Sequence, residues 1–417
     1  MSRAAPLLFL LCACSPLGPP ASDGGEGEDA GSDAGRPDAG PPPPPTLCTV
    51  DNRDDALASR DGFREWCADA GTTAQCGDGS PFKLTWRESP DGGTGLFLYF
   101  RENGRCSEYI GCWGRDGKGG VVDRTVAGLT NRERSAPRVA TFGFEAHGLF
   151  NGSEPGNPLA GFAAVHAPDC TGDLGARDEV VDLARPANAN FGAPPSVRTY
   201  FRGARDVEAA VAMAKEKFPA PSRIVLGGTG SGAYFAMEAL PRVAEAYPGV
   251  PLTVLFDGET GSQDSALGAK FTAALQSHDG VSGRPLARFV AVAFATDPVQ
   301  RGSGSAVGFW TGQEAALRAR QVANPLTFRW FTPALDCHAI AMTPGLWSKY
   351  VPWTGGLRPA QPPQRPNPDL GVDGGLLEPW LFSALGGTGA YAGSFESRGA
   401  ELDGGTTPCT LPDSLEP

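Results

Sequence analysis

Ile224-Val225-Leu226-Gly227-Gly228-Thr229-Gly230-Ser231-Gly232-Ala233 is a short apolar run that ends abruptly in small residues, and from Tyr234 to Val243 apolar residues return at helical spacing. A β-strand, a tight turn and a helix are the reading this pattern predicts. Such a turn has two chemical uses. Small residues on either side of a serine let the chain bend sharply and present a hydroxyl at the end of a sheet, which makes a nucleophile elbow. Alternatively, Gly228, Gly230 and Ala233 fit a dinucleotide fingerprint, with Asp257 at the end of the next strand as the ribose-binding acid. A turn with no chemistry is the third reading.

Further strands are expected on both sides of this unit. Leu96 to Phe100, Val139 to Phe144, Ala163 to Ala167, Leu252 to Phe256 and Phe289 to Phe294 are apolar runs that lead into glycine or polar residues. Buried parallel strands have this look, with function carried by the loops at their carboxyl ends. Val207, Ala210, Val211, Ala214 and Phe218 recur every three or four positions, a helix that Pro219 stops. Strands alternating with helices predict an α/β fold around a mostly parallel sheet flanked by helices. Pro359 to Asp373 is expected to be an irregular loop, and Leu376 to Leu385 a last short helix.

The N-terminus reads as an export signal. Arg3 is followed by the apolar run Pro6 to Leu11, too short to span a bilayer, and then by Cys12-Ala13-Cys14. Leu11-Cys12-Ala13-Cys14 is similar to a bacterial lipobox, which makes Cys14 the expected lipidation site; plain secretion is the alternative. Residues 15–46 are mostly Gly, Asp, Ala and Pro with almost no large apolar side chain, and carry five prolines at 41–45, a composition that buries too little surface to offset its ordering entropy. The expected organisation is a signal with a candidate lipobox at 1–14, a tether at 15–46 and one domain at 47–417. The expected location is the cell envelope or exterior, with the membrane as a partner only through the lipid anchor.

A net charge of −12 argues against nucleic acid as a partner, which requires a cationic surface. With Cys12 and Cys14 set aside, the remaining cysteines of the ten are Cys48, Cys67, Cys76, Cys106, Cys112, Cys170, Cys337 and Cys409. An even set in an exported chain favours disulfides, with the pairing open. Neither a Cys-x-x-Cys pair nor a His-Glu-x-x-His motif occurs, so no metal is expected, and no cofactor either.

The residues around the turn resemble the pectin acetylesterase and Notum family of carboxylesterases with an α/β-hydrolase fold, over most of the stretch from Leu96 to His338. Phe100-Arg101-Glu102-Asn103-Gly104-Arg105-Cys106 is similar to the family's strand, glycine loop and cysteine. Asn157-Pro158 followed by Asp169-Cys170-Thr171-Gly172-Asp173 is the most specific match. Thr296-Asp297-Pro298-Val299-Gln300 looks like the setting of its catalytic aspartate, and Cys337-His338 that of its histidine. The resemblance implies an exported carboxylic-ester hydrolase acting on an acylated glycan or other small ester; a monomer is expected. Ser231 would be the nucleophile, Asp297 would orient the imidazole and His338 would be the base, in the chain order this fold uses. Asn103, Gly104 and Gly232 would supply the oxyanion hole.

Two departures stand out. Aligned without a gap, the family's Gly-Thr-Ser-Ala-Gly-Gly becomes Gly228-Thr229-Gly230-Ser231-Gly232-Ala233, so Gly230 takes the nucleophile's place. Sliding by one residue restores Ser231 to the apex, with Thr229 and Ala233 in the glycine slots. In the oxyanion loop, Glu102 and Asn103 replace glycines, and a carboxylate there opposes a developing oxyanion. The alternative function is therefore a catalytically degenerate relative, an anchored lipoprotein that binds a glycan or acyl ligand.

Overall fold

A computed structural model describes residues 62–68, 73–102, 106–113, 148–152, 157–187, 194–258 and 287–292, with short segments beyond them. The chain divides into Met1–Pro44 and Pro45–Pro417, and all described residues belong to the second unit. Val139 to Phe144, the expected weak strand, lies outside the described residues.

A nine-stranded sheet forms the centre. Its strands are β1 (Arg64–Cys67), β2 (Lys83–Arg87), β3 (Gly95–Arg101), β4 (Ala163–Pro168), β7 (Arg223–Thr229), β8 (Leu252–Asp257), β9 (Arg288–Val292), β10 (Phe328–Thr332) and the two-residue Phe395–Glu396. A separate antiparallel hairpin, β5 (Glu179–Ala184) and β6 (Ser196–Phe201), leaves the main sheet between β4 and β7. The order is β1-β2-β4-β3-β7-β8-β9-β10 followed by Phe395–Glu396. β1 and β2 pair antiparallel, and β2 runs antiparallel to β4, whereas every pairing from β4 across to Phe395–Glu396 is parallel.

The parallel strands are buried on both faces, which explains their unbroken apolar spelling. Side chains nevertheless alternate. Leu96, Leu98 and Phe100 of β3 join the core beneath the helices, together with Leu226, Val254 and Phe256. Phe97 and Tyr99 face the other way, into an aromatic cluster with Phe150 and His166, at ring separations of 5.0 to 6.4 Å.

The helices include α1 (Tyr109–Trp113), α2 (Gly203–Lys217) and α3 (Ser231–Ala246), besides a 3-10 turn at Gly148–Phe150. The expected stripe of Val207, Ala210, Val211 and Ala214 is the buried face of α2, which packs with α3 over the sheet. No helix among the described residues is long and apolar enough to cross a membrane. The expected helix at Leu376 to Leu385 needs correction at its start. Leu376 closes a strand, Gly374–Leu376, that pairs antiparallel with Tyr350–Pro352, and cross-strand pairing there overrides the local helical spelling.

Disulfides join Cys76 to Cys170 and Cys106 to Cys112, and Cys67 is disulfide-bonded as well. The first ties the segment before β2 to the loop after β4. That loop is where the site's buried carboxylates lie.

Candidate functional site

β3 and β4 form the first parallel pair; the chain then returns to place β7 on the other side of β3. The order of strands reverses between β3 and β7, and open α/β sheets keep their ligand crevices outside the carboxyl ends of strands at such a point. Glu102 follows β3 and Gly230 follows β7, so the glycine turn lies at this position.

The geometry of the turn fixes its register. Gly230 precedes α3 with φ 50° and ψ −120°, a conformation open to glycine and strained for other residues. Its neighbours two positions away are tightly enclosed: a Cβ on Gly228 would overlap the backbone of Gly232, and one on Gly232 would overlap the carbonyl of Phe100. Gly228, Gly230 and Gly232 therefore hold the small, apical and small positions of the bend. The slid register, with Ser231 at the apex, is not the one adopted; Ser231 is the first residue of α3.

Ser231 is 8% exposed, and its hydroxyl donates to Asp169 Oδ2 at 3.0 Å. Asp169 is buried, and its Oδ1 accepts the backbone N–H groups of Thr171 (3.2 Å) and Gly172 (2.9 Å). Asp173 Oδ1 receives the Thr171 hydroxyl and the Gly175 N–H, while its Oδ2 receives the Gly203 N–H at the start of α2. Asp206 lies buried on α2 beside Cys170. Asp169-Cys170-Thr171-Gly172-Asp173 is thus a framework that folds its own loop and turns Ser231 inward.

Three acids share this low-dielectric region, and their ionisation is suppressed. Burial and the charge of Asp173 push the Asp169 carboxyl up to about 7. Burial, then Asp173 and Asp169, hold Asp206 well above the usual carboxylate range. Asp173 is raised by burial against the opposing pull of its backbone donors.

Asp257 braces the turn from the other side. Its backbone carbonyl accepts the Gly230 N–H at 3.2 Å, and its Oδ2 accepts the Thr229 hydroxyl at 3.3 Å and the Tyr99 phenol at 3.2 Å. Burial, followed by the Asp257 and Glu102 charges, pushes the Tyr99 phenol well above its usual value. An Asp257 buried against the turn's own residues does not present its carboxylate outward to a ribose, which removes the main support for the dinucleotide reading.

Glu102 is the side chain nearest the apex. A Cβ built on Gly230 would overlap Glu102 Oε2, so the carboxylate takes up space that a nucleophile's side chain would need. The sequence marked Glu102 only as an opponent of an oxyanion, and its closeness to Gly230 became visible only when β3 and β7 were paired. Asp169, Asp173 and Asp206 had no role assigned from the sequence; the Asp-Cys-Thr-Gly-Asp spelling was the signal for the first two. Asn103, Gly104, Asp297, His338 and Cys14 lie outside the described residues. Gly232 has its Cα against the Phe100 carbonyl. No group of three potential metal ligands occurs among the described residues. A scan against protein-family models gives no match, and a search of curated proteins gives no significant match.

Proposed function

We propose that this chain is an exported relative of the α/β-hydrolase carboxylesterases that binds a glycan at its elbow and has lost serine-based turnover. The observation that carries this reading is the glycine at the apex. Gly230 has the backbone conformation of the bend and no side chain to act, while the neighbouring hydroxyl of Ser231 is directed to the buried Asp169. A misplacement of about 1 Å already reduces catalysis strongly, and a hydroxyl on the next residue of a helix points in another direction altogether. The parallel sheet, with a glycine bend between strand and helix, supports the hydrolase ancestry that the Asp-Cys-Thr-Gly-Asp segment suggests. Export and anchoring through Cys14 are part of the proposal and rest on the N-terminal spelling.

A fluorophosphonate probe tests the loss of the nucleophile. The expected result is no covalent labelling of the purified protein, with glycan-array binding retained. Labelling that disappears in Ser231→Ala would sink the proposal.

One observation favours the rival reading, a working ester hydrolase with Ser231 as nucleophile. Ser231 is hydrogen-bonded to a carboxyl whose ionisation falls at about 7, a suitable value for a base at neutral pH. Release of acetate from acetylated oligosaccharides, lost in Ser231→Ala, would establish that alternative.

A further inference from the structure

Cys170 has a neighbour besides its disulfide partner Cys76. Asp206, in the first turn of α2, is fully buried, and its Oδ2 lies 3.9 Å from Cys170 Sγ. A disulfide sulfur has no proton to give, so the proton in this contact belongs to the carboxyl. Asp206 Oδ1 has no hydrogen-bond partner. A buried polar atom left in this way needs a reason, and acid–base work at a redox centre is one. The charged groups acting on Asp206 are Asp173 and Asp169 from the loop after β4 and Arg202 just before α2; the backbone of Gln75, next to Cys76, acts on it as well. Burial and the two acids outweigh Gln75 and Arg202, so Asp206 is neutral while the disulfide is closed.

Thiol–disulfide exchange needs what such a group supplies. The attacking species is a thiolate, and burial disfavours it, so Cys170, which is 0% exposed, forms its thiolate poorly without help. We propose that Asp206 is the acid–base partner of Cys170, taking the thiol proton when the Cys76–Cys170 bond closes and returning it when that bond is reduced. In closure, the thiolate of Cys76, which is 6% exposed, displaces one half of a small disulfide oxidant and keeps the other half as a mixed disulfide. The Asp206 carboxylate removes the Cys170 proton, the Cys170 sulfur attacks Cys76 Sγ, and the small thiol leaves with the electron pair of the broken bond and takes a proton from water. Asp206 ends neutral beside the new disulfide, the state the structure shows. In reduction, the thiolate of a small dithiol attacks Cys76 Sγ, and Cys170 leaves with the electron pair and collects the Asp206 proton. The second thiol of the reagent then displaces Cys76 and forms the reagent's own disulfide. The step is independent of what the elbow binds or cleaves.

Reduction of the full-length protein by dithiothreitol, followed by alkylation and mass spectrometry of its peptides, reads Cys76–Cys170 and Cys106–Cys112 in the same molecule, with the second pair as internal reference. Asp206→Asn is expected to slow the opening of Cys76–Cys170 about tenfold or more relative to the reference, and to slow its re-closure by glutathione disulfide in the same way. A side chain that only packs would give the opposite sign, because a loosened α2 exposes the bond and speeds its reduction. Faster or unchanged reduction in a cooperatively folded Asp206→Asn therefore overturns the proposal. The wild-type chain supplies a second measurement. In heavy water the opening of Cys76–Cys170 is expected to slow relative to Cys106–Cys112, since a proton moves with the departing sulfur. An unchanged ratio overturns the proposal even where Asp206→Asn does not fold.

Discussion

At residue 230 a glycine combines two effects that a serine would separate. It adopts φ 50° without the strain other residues meet there, and it leaves space for Glu102 Oε2. Gly230→Ser is therefore expected to destabilise the fold by about 1–3 kcal/mol, from backbone strain and overlap together. Removing the carboxylate in Gly230→Ser with Glu102→Gly should recover part of that loss. Urea unfolding of the two single variants and the double variant measures the coupling, and strictly additive effects would show that the two positions do not share space. Asp169 gives a second prediction. Burial and the charge of Asp173 push its carboxyl from the ordinary 3.8 up to about 7 in the folded chain. Between those values the folded state binds more protons than the unfolded state, so stability falls as pH rises through that window and levels off above it. Asp173 and Asp206, also raised, act in the same direction. Thermal unfolding should accordingly give a higher midpoint near pH 5 than near pH 8, with a smaller difference in Asp169→Asn. A midpoint that rises with pH over this range would contradict the buried, protonated carboxyl.

Among the elements, the junction of α3 with β3 tolerates the least. Gly232 lies so close to the Phe100 carbonyl that the obstruction to a side chain is backbone, which cannot rotate away. Gly232→Ala is expected to cost about 1–3 kcal/mol despite the better helix propensity of alanine, as read by chemical denaturation; a stabilised variant would show that the junction can open. The central strands were legible because burial on both faces forces unbroken apolar runs, and α2 because one face is polar. β5 was not legible: Glu179-Val180-Val181-Asp182-Leu183-Ala184 is mostly exposed, so its composition says little about its pairing. β1 and β2 are short and interrupted by charge, as in Lys83-Leu84-Thr85-Trp86-Arg87. The elbow itself was legible as strand, turn and helix. Its register was not, because the direction of Ser231 is decided by Asp169, sixty-two residues earlier in the chain. A disulfide framework was expected from the even cysteine count, while the Cys76–Cys170 pair depends on which loops meet at the end of β4; Cys106–Cys112 closes locally, six residues apart.

Across the whole molecule, the fastening of the Glu102 segment has a practical consequence. The Arg101 carbonyl accepts the Asp169 N–H at 2.9 Å, and the Cys106 N–H donates to the Gly172 carbonyl at 2.9 Å. Both moorings belong to the one Asp-Cys-Thr-Gly-Asp loop, which the Cys76–Cys170 disulfide ties in turn to the segment before β2, the strand beside β4. Arg101 and Cys106 are thereby both fastened through their backbone groups, whatever side chains they carry. Substitution of Glu102 should therefore leave these anchors in place, because both are made by the backbone groups of other residues.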